Sequence, residues 1–77
     1  MDDLILLFDK YNRGDYNIAD VSRILSYMAL PDELDEEIEE AEYNIERIRF
    51  LTSQNEQRKQ VNKILLELIK KNKNLRW

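Results

Sequence analysis

The chain has 77 residues, a net charge of −4 and neither histidine nor cysteine, which excludes a disulfide framework, a thiolate metal site and the usual imidazole base. One glycine and one proline leave too little turn chemistry for a β fold, and the many Leu, Ile, Glu, Lys and Arg favour helix. A chain of this length forms a single domain, residues 1–77, that buries about 60% of its unfolded surface and holds together by about 5 kcal/mol.

The first helix is predicted over about residues 3–13, capped by Asp2 or Asp3, with Leu4, Leu7, Phe8 and Tyr11 on one face. Its apolar run, Leu4 to Phe8, is too short to cross a bilayer and is preceded by acids rather than bases. It therefore reads as neither a signal peptide nor a transmembrane segment, and a cytoplasmic, membrane-free protein is expected. Ile5 and Leu6 fall off the inner face and leave this helix apolar nearly all round. Such a helix is buried on several sides, and a second copy of the chain is one way to bury it. Ile5 and Leu6 are accordingly the candidate self-association residues.

The segment from Phe8 to Asp20, FDKYNRGDYNIAD, has the sound of a calcium loop. A loop opening at Asp9 would need oxygen donors at its third and fifth positions and a bidentate Glu at its twelfth. Those positions hold Tyr11, Arg13 and Asp20, and a guanidinium cannot replace a carboxylate beside a divalent cation. Gly14 has the simpler task of ending the first helix, since only glycine takes the left-handed conformation cheaply. Asn17 then caps a second helix, predicted over about 18–29, with Asp20 in its first turn and Ile18, Val21, Ile24 or Leu25, and Met28 along its inner face. With Arg23 as the only basic residue of the second helix, this pair of helices is poorly suited to reading DNA.

Pro31, Asp32 and Glu33 suit the first turn of a third helix, predicted over about 31–52. Leu34, Ile38, Ala41, Ile45 and Ile48 recur at spacings of four and three, a heptad seam. Ser53 followed by Glu56 matches a capping box and places the start of a fourth helix near Gln54. One continuous bent helix remains open, because neither glycine nor proline divides the two. The fourth helix, predicted over about 54–73, carries Val61, Ile64, Leu65, Leu68 and Ile69 and is expected to fray at Asn72–Asn74. Helices three and four, each about 20 residues and 30 Å long, match as an antiparallel hairpin. The expected fold is thus all-α: a small helical bundle with two short N-terminal helices packed on a long antiparallel helical hairpin.

Residues 1–42 carry a net −10 and residues 43–77 a net +6. An antiparallel hairpin explains this split by placing the acids of 32–42 beside Lys63, Lys70, Lys71 and Lys73, each cluster at the helix end its dipole prefers. Asp35, Glu37 and Glu42 flank the seam as pairing acids. Asp32, Glu33, Glu36, Glu39 and Glu40 point away from it, towards solvent or a basic partner protein. Tyr43 and Phe50, one heptad apart opposite the seam, are either covered by the first two helices or exposed beside Arg47 as an aromatic anchor. The basic end, Lys70 to Trp77, complements the helix dipole or attracts nucleic acid or an anionic membrane surface, and Trp77 either folds onto the core or stays free.

Tyr11-Asn-Arg-Gly14, Tyr16 and Ile18-Ala-Asp-Val21 together resemble the opening of some small bacterial immunity or self-protection proteins. In those, a short helix ends in a glycine turn and an aliphatic-acidic helix follows, over about a dozen residues. The resemblance implies an acidic helical protein that neutralises a toxin by blocking it, and it transfers no functional residue. No catalytic, metal-binding or cofactor-binding residues are expected: the solvated carboxylates raise no single pKa, and no nucleophile has an evident base. The expected function is non-enzymatic binding of a basic protein, as an inhibitor or immunity protein of bacterial or phage type. The candidate surface is Asp32, Glu33, Glu36, Glu39, Glu40, Tyr43, Arg47 and Phe50. The alternatives are a structural or assembly subunit acting as a helical homodimer, and a nucleic-acid accessory using the basic end.

Overall fold

A computed structural model describes residues 3–50 and 53–75. The chain is all-α, and no strand occurs among the described residues. Helix α1 (Asp3–Asn12) turns Leu4, Leu7 and Tyr11 inward. It ends as the glycine requires. Gly14 sits at φ 88°, where its N–H donates to the Tyr11 carbonyl (3.1 Å) while the Asp15 N–H reaches back to that of Lys10 (3.0 Å). These two bonds form a Schellman turn. The space around Gly14 is open, so a side chain there would meet no clash and only the backbone strain of about 1 kcal/mol.

Helix α2 (Ile18–Tyr27) opens with a full capping box. The Asn17 Oδ1 accepts from the Asp20 N–H at 2.8 Å, and the Asp20 Oδ2 accepts from the Asn17 N–H at 3.0 Å. The helix stops two residues earlier than expected, with Met28 already extended at ψ 133°. The restriction that Pro31 imposes on Leu30 favours an extended approach to the next element. That element is a single 3-10 turn, Asp32–Leu34, rather than α-helix; Pro31 is extended at ψ 144°, and its carbonyl accepts from the Leu34 N–H at 2.9 Å.

Helix α3 (Asp35–Ile48) is therefore shorter at both ends than the seam suggested. The last buried residue of the seam is Ile48. Arg49 and Phe50, which follow it, are both exposed, and the Phe50 N–H bonds the Arg47 carbonyl at 3.3 Å to close the final turn. Helix α4 (Gln54–Leu75) begins anew, so α3 and α4 are separate helices rather than one bent rod. The Ser53 Oγ accepts from the Glu56 N–H at 3.3 Å, as expected for a cap, while the Glu56 carboxylate turns to Gln60 Nε2 at 3.1 Å. The expected fraying at 72–74 does not occur. Asn72 is fully buried and the helix runs on past it, because its last turns pack against the bundle.

The four helices close a ring: α1 packs on α2 and α4, and α3 packs on α2 and α4. One core fills the middle, built from Leu4, Leu7, Val21, Leu25, Ala41, Ile45, Ile48, Val61, Leu65 and Leu68. Helices α3 and α4 run antiparallel: Lys71 Nζ lies 3.9 Å from Glu37 at one end, and Gln57 Nε2 donates to the Arg49 carbonyl at 3.3 Å at the other. The expected cap at Asp2 and the placement of Trp77 lie outside the described residues.

Candidate protein-binding face

At about 100° per residue, the heptad that turns Ala41, Ile45 and Ile48 inward sends Glu36, Glu39, Glu40, Tyr43 and Arg47 to the opposite side of α3. All five are exposed, as are Asp32 and Glu33 in the turn before the helix. Tyr43 is 65% exposed and Phe50, just past the helix end, 86%. Of the two arrangements open to these aromatics, cover by α1 and α2 is therefore overturned and exposure beside Arg47 is found. Both short helices meet the hairpin from its inner side, α1 through α4 and α2 through α3, and neither crosses the outer face. Arg47 lies over the Tyr43 ring with its guanidinium carbon 5.9 Å from the centroid. That contact orders a cation and an aromatic together on an otherwise acidic surface.

The charge pairing between the hairpin helices is sparser than the sequence suggested. Of the seam-flanking acids, Glu37 meets Lys71, whereas Asp35 and Glu42 fall on the flank of α3 away from α4. Neither joins an ion pair among the described residues, and the remaining pairs are local: Asp9 with Arg13, Asp20 with Arg23, Glu46 with Arg49. The helix periodicity explains this, because α4 approaches α3 from one side only. Among the described residues, the acids at 36, 39 and 40 are thus not consumed by internal pairing.

Ile5 and Leu6 are 47% and 39% exposed, so the bundle does not bury them. Leu6 borders an open groove between α1 and α2 that includes Tyr16, Ile24, Tyr27 and Met28. A polar contact that the sequence did not reveal ties α1 to α4. Asn12 and Asn62 exchange two side-chain hydrogen bonds of 2.9 and 2.8 Å, and Asn12 Nδ2 also donates to the Phe8 carbonyl at 2.8 Å. An isolated asparagine has no periodicity to betray such a role. Close by, burial raises the pKa of the Tyr11 phenol above its ordinary value near 10, and the Arg58 guanidinium offsets part of that rise.

Among the described residues, no group of three or more carboxylates is arranged to hold a metal ion, and no helix is long and apolar enough to cross a membrane. The glycine turn that sounded like a calcium loop has its side chains engaged elsewhere: Asp9 holds Arg13, and Asn12 holds Asn62. The chain matches no family model, no curated protein and no solved structure.

Proposed function

We propose that this chain is a non-enzymatic protein-binding module that docks a basic partner protein on the outer face of α3 and blocks it, as an inhibitor or immunity protein does. The observation that carries this reading is the exposure of Tyr43 on the outer face of α3 and of Phe50 just past its end, with Arg47 over the Tyr43 ring and Glu36, Glu39 and Glu40 exposed alongside. Aromatic residues and arginine are the side chains that dominate binding energy in interfaces. The acids supply a field that speeds encounter with a positive surface and rejects a negative one. A chain with no histidine and no cysteine fits binding better than catalysis, because it lacks the commonest proton carrier and nucleophile.

The test is capture from a lysate of the encoding organism at near-physiological salt, run beside a triple variant, Glu36→Lys, Glu39→Lys and Glu40→Lys, and beside Phe50→Ser. A stoichiometric basic protein should bind the unchanged chain and be lost from both variants, while helicity by circular dichroism stays the same. Retention of the same protein by the triple variant would sink the reading. A second reading, an assembly subunit, draws on the exposure of Ile5 and Leu6. There, Leu6→Glu changes the oligomeric mass and the acid reversals do not.

A further inference from the structure

The α3–α4 surface carries an open groove of about 610 Å³ that continues past Asn44, Lys63 and Ile64 into a second depression. The two halves differ in sign. Arg47 and Lys59 line the half towards the α3 C-terminus, with Glu56 as its acid, and Lys63 stands at the boundary and lines both halves. Glu40 and Glu67 line the half towards the α3 N-terminus, where Glu37 and Lys71 already face each other. Among the described residues, Glu40, Glu67, Lys59 and Lys63 take part in no ion pair.

The two charge reversals share one centre. Glu40 and Arg47 lie symmetrically about the midpoint between Tyr43 and Asn44, and Lys63 and Glu67 lie symmetrically about Leu65. The antiparallel register of the hairpin, set by Glu37 opposite Lys71, with Asn44 and Ile64 lining one stretch of the groove, brings those midpoints close to one level. A surface whose charge inverts about a point is complementary to itself across a two-fold axis through that point. We infer that this groove is a self-recognition site, in which a second copy of the chain docks antiparallel, hairpin on hairpin.

The axis sets Glu40 against Arg47 of the second copy and Glu67 against its Lys63, and both contacts occur twice. A partner of one sign would meet like charge in one half of the groove, whereas a second copy meets opposite charge at Glu40, Arg47, Lys63 and Glu67; the same axis sets Lys59 against Lys71, whose charge Glu37 already offsets. The pairs are solvent-edged and the patch is small, so association is weak and salt-dependent. Glu40 and Arg47 also belong to the outer face of α3, which makes self-pairing and capture of a basic partner mutually exclusive.

The experiment is sedimentation equilibrium from micromolar to millimolar protein, at low and high salt, with the unchanged chain, Glu40→Lys, Arg47→Glu and an equimolar mixture of the two variants. Each reversal alone turns two attractive contacts into two repulsive ones and should weaken dimerisation about tenfold. In the mixture, Lys at 40 meets Glu at 47 across one contact and Glu40 meets Arg47 across the other, so dimerisation should return. Circular dichroism of each variant checks that the helices persist, and Lys63→Glu mixed with Glu67→Lys provides an independent second pair. A monomer under all conditions overturns the inference. So does a dimer that ignores these reversals and dissociates with Leu6→Glu, or a mixture that stays as weak as its components.

Discussion

Tyr11 shows how a single side chain can report on the packing of α1 against α4. Its ring is buried against the core while Arg58 lies near enough to favour the phenolate in part. Burial wins, and the folded pKa stands above the value the unfolded chain would have. The neutral phenol is thus the form the fold prefers. Its contribution to stability is complete below about pH 10 and is lost as pH rises through the folded value. Ultraviolet titration should show a tyrosine component that ionises above the ordinary phenol value near 10 and disappears in Tyr11→Phe, and Arg58→Gln should move that component higher still. The absence of any such component would contradict the burial of Tyr11.

At the scale of elements, each helix boundary has its own chemical cause. Gly14 ends α1, the Asn17–Asp20 box begins α2, Pro31 sets off the 3-10 turn, and Ser53 begins α4. The association of α1 with α4 depends on a pair the periodicity does not mark, Asn12 with Asn62. Removing one amide strands the other half-buried, so Asn12→Ala and Asn62→Ala should each cost about 1–2 kcal/mol. The double variant should cost less than their sum by about 0.5 kcal/mol or more, because the second removal leaves no stranded partner. Urea denaturation of the three variants checks this, and strict additivity would show that the pair contributes nothing as a pair.

For the whole molecule, the closed ring of four helices makes interior and outer face respond in opposite ways to substitution. Leu65 is at the centre of the single core, where truncation to alanine costs about 2–5 kcal/mol through lost burial and the cavity left behind. Against a total of about 5 kcal/mol for a domain this small, Leu65→Ala should leave about 3 kcal/mol or less. Phe50, on the open face, should tolerate serine with a change within about 0.5 kcal/mol. Denaturation midpoints of the two variants test this contrast. A large loss of stability with Phe50→Ser would mean that the aromatic belongs to the fold rather than to a surface available for docking.

The sequence by itself determined the all-α class, the inner faces of the helices, the glycine turn and the cap at Asn17, because helical periodicity and cap chemistry act between residues a few positions apart. The seam Leu34, Ile38, Ala41, Ile45 and Ile48 marked the inward side of α3 for the same reason. It also implied the outward direction of Glu36, Glu39 and Glu40. Only the tertiary structure decided the fate of Tyr43 and Phe50, since a second apolar stripe on a helix reads alike whether a neighbour covers it or solvent does. It likewise decided that Glu37 alone of the flanking acids meets Lys71, that Asn12 finds Asn62, and that the charge inversions on α3 and α4 lie close to one level. Each of these depends on which side of a helix its neighbour approaches and at what axial offset, quantities set by the packing of all four helices around one core.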